Sequence, residues 1–468
     1  MNRRDLIAQF DKLSPYTDRM IERGIETHRK GLFAVKVLDT EGKPAAGVPV
    51  KVKLARHEFK FGCSLFLLEQ FPDERRNNLY REEFKKVFNY GVMPLYWDTL
   101  EPEQGKPRFD KDSPNIHRRP ALDIVHEYCR ENRIVMKGHC LMYNSFNPKW
   151  MPRDWRSLKK LIEKRSREIA ERYGDDMLDL DVINEMYTVY HNAHGEYGCR
   201  DLPVCDEPGH EKWCFDIAKK YFPYTRLFWN EGCYETFGAS QYTGDKSIYY
   251  LMLKRWLSEG AHIEGIGMQF HATSSNEVQQ RAIFNPYRAM DVFRLYSEFK
   301  LPIHLSEISI PSYTNEAEDE DVQAELTERM YRLWFSQEYV ESIVWWNMVD
   351  GMAYSGENGF HAGLLRNDMT HKRAFDILDR LINHEWQTEE SLVTDENGRA
   401  YFNGFYGDYD VKVGEVSEER RFYSIRKTQA TITLQPVPWS RSLFCNPCGS
   451  FCIHNHARSF QHQVPVSV

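Results

Sequence analysis

Two glutamates in this 468-residue chain stand where chemistry could be done, Glu185 in LDLDVINE and Glu307 in PIHLSEISI. Each lies at the end of an apolar run with the texture of a strand. Each has polar company, Asn184 before Glu185 and His304 and Ser306 before Glu307. Comparable runs carry Lys137, His139 and Asn144, then Asn230 and Glu231, then Gln269 and His271, and finally Trp345, Trp346, Asn347 and Asp350. Two carboxyl groups among amides, imidazoles and indoles suit cleavage of a glycosidic bond. One carboxylate attacks or activates water, and one carboxylic acid protonates the leaving oxygen. Asn184, Asn230 and Gln269 could hold sugar hydroxyls and a carboxylate, and Trp346 could wall a sugar face. The dipeptide Asn-Glu alone says little, since it recurs at 276–277 and 315–316; the weight lies in co-location at strand ends. Glu101 in WDTLEP is expected to bond backbone instead.

Such groups need a scaffold that brings strand ends together. Eight apolar strand candidates follow one another at 59–66, 92–97, 134–143, 178–185, 225–230, 265–272, 302–310 and 342–349. Helix-period segments fill most gaps. WRSLKKLIEKRSREIAERYG sets Leu158, Leu161, Ile162 and Ile169 on one face, and AFDILDRLI reads as a closing helix. Strands alternating with helices predict a parallel sheet, and eight rounds predict an α/β (β/α)8 TIM barrel working at the carboxyl ends of its strands. A doubly wound open sheet is the rival, but no G-x-G-x-x-G follows the first strand.

The flanks have a different texture. Residues 1–30 predict a helical arm with Leu6, Phe10, Leu13 and Met20 as its apolar positions. LFAVKVL (32–38) and VPVKVKLA (48–55) alternate apolar and polar residues around DTEGKPAAG, which reads as a hairpin. Short aromatic-rich alternating runs return at 391–434. An isolated hairpin is marginal in water, so the segments 31–57 and 387–435 are expected to join as one accessory β-sandwich-like module beside a barrel of 58–386. Its role could be carbohydrate binding, support or oligomer contact, and the short spans favour support. Residues 436–468 have no periodicity and are expected to be poorly ordered.

Charge and composition exclude other classes. A net charge of −8 offers no basic field for phosphates, so no nucleic-acid partner is expected. No stretch approaches the ~20 apolar residues of a membrane span, and charges in MNRRDLIAQF interrupt any signal-peptide core. A cytoplasmic location is expected, with secretion the alternative should a leader precede. Cys199, Cys205, His210 and Cys214, and in the tail Cys445, Cys448, Cys452, His454 and His456, offer metal-ligand types. Their spacings match no finger pattern, so thiols or disulfides are expected and neither a metal nor an organic cofactor.

Six segments, taken in order, resemble glycoside hydrolase family 10, the retaining β-1,4-xylanases. They are WDTLEPEQGKPRFD, GHCLMYNSFNPKW, LDVINE, GIGMQFH, LSEISI and VWWNMVDG. The resemblance implies Glu185 as acid/base, Glu307 as nucleophile and Asn184 on the 2-hydroxyl of the reacting sugar. It places His139, Gln269, His271 and Trp346 around that sugar; Tyr143, Asn144 and Asn230, at the ends of their own strands, are expected as further substrate-binding groups. The chain departs from the family where a Glu-Asn-x-x-Lys usually precedes the strand-two tryptophan. Val92, Met93 and Tyr96 stand there, while Tyr143, Asn144 and Phe146 replace a Trp, a His and a Gln. The implied substrate is a xylan-like polysaccharide or oligosaccharide. An exo-acting or substituent-tolerant glycosidase on another polymer, or a carbohydrate-binding barrel without activity, are the alternatives.

Overall fold

The computed structural model describes residues 3–143, 145–186, 208–232, 234–240, 242–414, 416–422 and 432–434. Eight strands form its centre: β3 (Lys60–Ser64), β4 (Tyr90–Pro94), β5 (Val135–Tyr143), β6 (Met177–Asn184), β7 (Arg226–Gly232), β8 (Gly265–His271), β9 (Ile303–Ser309) and β10 (Val340–Trp345). Each pairs in parallel with the next, and β10 returns to β3, closing the barrel. The strands are buried almost end to end, as expected when helices cover one face and the barrel lumen the other. The helix Trp155–Tyr173 shows the local logic. Asp154 caps its start by accepting from the Ser157 amide at 2.8 Å, and Leu158, Ile162 and Ile169 face inward. No helix among the described residues is long and apolar enough to cross a membrane.

The N-terminal helix α1 (Arg4–Arg29) lies across the outer barrel helices. Its buried side is Leu6, Ile7, Phe10, Thr17 and Ile21, whereas Met20 faces solvent. The inward stripe therefore begins at Leu6 as read but runs on through Thr17 and Ile21. Gly24 permits the close approach: a Cβ there would lie 2.5 Å from the Ser336 carbonyl oxygen.

The two N-terminal strands do not form the expected hairpin. β1 (Lys30–Val37) pairs with β12 (Arg399–Phe405) and β15 (Ile432–Leu434), while β2 (Pro49–His57) sits between β11 (Glu389–Val393) and β13 (Gly407–Val413), which β14 (Val416–Phe422) extends. The loop between β1 and β2 crosses from one sheet to the other. The reason is partnership: both strands find longer ladders with the C-terminal segment than with each other. The sheets face one another through Phe33 and Phe402 on one side and Tyr409 and Phe422 on the other, with ring centroids 4.8–6.3 Å apart. A second ring cluster joins this module to the barrel. Phe335 stacks on Trp386 at 4.1 Å and meets Phe59 at 4.9 Å, and Arg29 caps the Phe335 and Val340 carbonyls.

Candidate active site

The polar side chains gather at the carboxyl ends of the strands. Glu185 directly follows β6 and adopts φ 48°, a left-handed conformation that costs a non-glycine residue about 1 kcal/mol or more. Its amide donates to the Asn230 carbonyl at 2.9 Å, which fixes that turn to the neighbouring strand. Glu307 lies within β9, where the register shifts: Met268 faces Leu305, but Gln269 faces Glu307. The extra residue is a β-bulge, which re-aims side chains that would otherwise alternate across the sheet. Ser306 and Glu307, although consecutive, both reach Asn230.

One amide holds both carboxyl groups. Gln269 Nε2 donates to Glu185 Oε1 at 2.7 Å and to Glu307 Oε1 at 3.1 Å. Those two lengths cap the gap between the oxygens at about 5.8 Å, compatible with the ~5–5.5 Å carboxyl spacing of retention and short of the ~6.5–9.5 Å of inversion. Asn230 Nδ2 donates to Glu307 Oε1 and to Asn184 Oδ1, both at 2.7 Å. His271 Nε2 stands 3.2 Å from Glu307 Oε2, and its other nitrogen meets Ser309 Oγ at 2.9 Å. Tyr143 donates its hydroxyl to Glu185 Oε2 at 2.6 Å.

Burial and charge act on Glu185 and His271. Burial raises the Glu185 pKa, and the neighbouring Glu307 charge raises it further, against the bonds from Tyr143 and Gln269. Burial alone would lower His271, but its bond to Glu307 and the charge there outweigh burial, and its pKa is raised. A carboxyl with a raised pKa beside a second carboxyl that accepts from an amide and an imidazole can act as an acid and a nucleophile respectively.

His139 is held from below. Asp181 Oδ2 takes its Nδ1 at 2.9 Å, and Lys137 Nζ lies 2.7 Å from the other Asp181 oxygen. Its Nε2 meets the Tyr96 hydroxyl at 3.1 Å and lies 3.8 Å from Glu307. Trp346 is buried edge-on to His139 at 5.3 Å and to Phe66 at 5.2 Å. Thus the structure gathers Glu185, Glu307, His139, Tyr143, Asn184, Asn230, Gln269, His271 and Trp346 into one mouth. Asn144 lies outside the described residues. Other carboxylates have structural partners: Glu101 accepts from the Gly105 amide and the Trp97 indole, Glu231 from the Trp229 indole, and Asp350 pairs with Lys372 at 3.1 Å.

Sequence reasoning passed over Asp181 and Ser309. Asp181 had a readable signal, since Asp179 and Asp181 interrupt an apolar strand at a spacing of two, which puts both on one face. Of the cysteines considered for metal, Cys214 is buried, whereas Cys199, Cys205 and the tail cluster lie outside the described residues. Among the described residues no three His, Cys, Asp or Glu side chains converge as metal ligands.

Comparison with known proteins places this geometry in context. The family model described as glycosyl hydrolase family 10 matches residues 52–380. The chain is 26% identical over 426 residues to anti-sigma-I factor RsgI6 of Acetivibrio thermocellus, covering 90% of this chain and 49% of that protein. It is 25% identical to endo-1,4-beta-xylanase 2 of Arabidopsis thaliana, covering 84% of this chain and 33% of that one. The chain therefore spans half or less of these curated relatives. Among solved structures, native xylanase 10B from Thermotoga maritima superposes with a TM-score of 0.55 at 20% identity, over 70% of this chain and 96% of that one. Xylanase 10B from Thermotoga petrophila in complex with xylobiose gives 0.55 at 22% identity, over 70% and 95%. At these identities the structural likeness speaks for the fold.

Proposed function

Because the chain belongs to glycosyl hydrolase family 10, we propose that it hydrolyses β-1,4-xylosidic bonds of xylan-type chains with retention of configuration. Glu307 is the nucleophile and Glu185 the acid/base. The observation that carries this reading is the single amide of Gln269 bridging both carboxyl groups, which holds one oxygen of each within about 5.8 Å, in keeping with the close carboxyl spacing of retaining enzymes.

In the first step a Glu307 oxygen attacks the anomeric carbon, the bond to the leaving oxygen breaks, and the Glu185 proton passes to that oxygen. In the second, Glu185 takes a proton from water, whose oxygen displaces Glu307 from the same carbon. Asn230 and His271 donate to Glu307 and so aim it and stabilise its charge before attack. Asn184 turns its Oδ1 to Asn230, which leaves its NH2 for the 2-hydroxyl. His139 and Trp346 border the sugar ring. The relatives named endo-1,4-beta-xylanases support the choice of bond. The accessory sheets serve as support, because their inner rings are used against one another.

The test is reducing-sugar release over a panel of polysaccharides, with proton NMR of the first product from xylan. The β-anomer is expected first. Early α-anomer would overturn the retaining assignment, and absence of release from every polymer would leave a carbohydrate-binding barrel.

A further inference from the structure

The two glutamates divide the barrel mouth into two arcs. On the β7–β8 arc, Asn230 and Gln269 are already bonded to the carboxyl groups. With those amides engaged, the arc left to receive a sugar held at Glu307 runs from β10 through β3 and β4 to β5. The sugar's leaving group departs on the Glu185 side. Whatever precedes it in the chain, towards the non-reducing end, must then pass Trp346, His139 and the residues behind them.

That passage is filled. Phe66, Tyr96 and Phe146 form a continuous set of rings, with Phe66–Tyr96 at 5.8 Å, Tyr96–Phe146 at 4.9 Å and Phe66–Trp346 at 5.2 Å. Phe66 and Tyr96 are only 1% and 6% exposed. The buried Arg119 guanidinium lies 4.0 Å above the Tyr96 ring and also approaches Phe66 and Phe146, at 5.2 and 5.6 Å. Tyr354 closes against the outer edge of Phe146 at 5.5 Å. The one hydroxyl in this set, on Tyr96, is engaged by His139. Val92 and Met93, one strand turn below, are buried as well. A second sugar seated there would need several hydroxyl partners, and among the described residues of this passage Phe66 and Phe146 offer none, while the Arg119 guanidinium lies packed against the rings.

We propose that Phe66, Tyr96 and Phe146, braced by Arg119, are the end wall of the reacting subsite. The enzyme takes the terminal sugar of a chain and removes residues singly from the non-reducing end. Each turnover consumes one water, breaks the terminal glycosidic bond and releases one monosaccharide. This rests on the function proposed above, but concerns where along the chain the bond is cut.

The experiment compares nitrophenol release from 4-nitrophenyl β-xyloside and 4-nitrophenyl β-xylobioside, and follows products from reducing-end-labelled xylohexaose. The wall predicts kcat/KM on the bioside no higher than on the monoside. It also predicts that the label moves first into xylopentaose, with free xylose as co-product. Phe146→Ala should raise the bioside-to-monoside ratio at least about tenfold, equivalent to about 1.4 kcal/mol; Tyr354→Ala, at a half-exposed position, should move it the same way should Phe146→Ala not fold. A bioside strongly preferred by the parent enzyme, or label appearing first in xylobiose and xylotriose, would overturn the wall while leaving the xylanase reading intact. Failure of both glycosides and the hexaose would remove the xylanase reading and the wall with it.

Discussion

The two arcs of the barrel mouth come from strands of the same kind and are put to opposite uses. From β6 to β9 nearly every inward group is polar and bonded to another: Asn184 to Asn230, Asn230 to Glu307, Gln269 to both glutamates, His271 to Glu307 and Ser309. From β10 to β4 the corresponding cluster is apolar, the rings of Phe66, Tyr90, Tyr96 and Trp346 packed with Val92 and Val344. Hydrogen bonds in the first arc add little net stability beyond avoiding unpaired groups, but in the proposed reaction they aim charge at the anomeric carbon. Ring packing in the second arc stabilises the fold and, in the proposed function, bounds the reacting subsite. The difference teaches that rate and stability are separable within one mouth, so that variants in the polar arc should slow turnover more than they lower Tm, and variants in the ring arc the reverse.

The severest break is Glu307→Gln. Turnover should fall at least about 10⁴-fold on every substrate, since no glycosyl-enzyme can form, with Tm nearly unchanged; residual rates close to those of the parent would dissolve the polar arc's role. Glu185→Ala comes next. Hydrolysis of xylan should drop by about 10²–10⁴-fold, whereas formation of the intermediate from a nitrophenyl glycoside, whose leaving group needs no proton, should be largely spared. Equal losses on both substrates would contradict the acid/base assignment.

On the ring arc, Phe66→Ala should cost about 3–5 kcal/mol in denaturant unfolding, and a loss below about 1 kcal/mol would show that the rings are not packed as a unit. A finer test uses pH. The Glu185 pKa is raised by burial and by Glu307, and Tyr143 opposes that rise by donating to the carboxylate. Removing the donor in Tyr143→Phe favours the protonated acid, so the alkaline limb of the kcat/KM profile should move to higher pH. A limb that moves down would reverse the assigned donor. The smallest effect belongs outside both arcs. Arg133 and Glu419 pair at 2.7 Å between barrel and accessory module, both well exposed, and Glu419→Ala should change stability by less than about 1 kcal/mol.

Much of this was legible in the sequence because the information was local. All eight barrel strands announce themselves as apolar runs, and the polar residues closing them mark the mouth. The direction in which Ser306 points was not legible, because it depends on a bulge set by pairing with β8 and β10. Tyr96 could be seen to replace a polar family residue, but only the fold shows its hydroxyl on His139 and Arg119 over its ring. The supposed hairpin of β1 and β2 failed for a related reason. Alternation tells a strand from a helix and one face from the other, and it carries no record of which partner lies across the ladder.

That partnership has a consequence in time. Arg56 on β2 bonds Asp408 on β13, 352 positions later. At about 5–20 residues per second of synthesis, β2 waits roughly 20–70 seconds for its neighbour while the barrel between them is made. Throughout that interval its alternating edge, with Val50, Val52 and Leu54 on the side that will be buried, is open to any other extended chain. The accessory module therefore cannot close until β13, β14 and β15 have followed the barrel into the nascent chain.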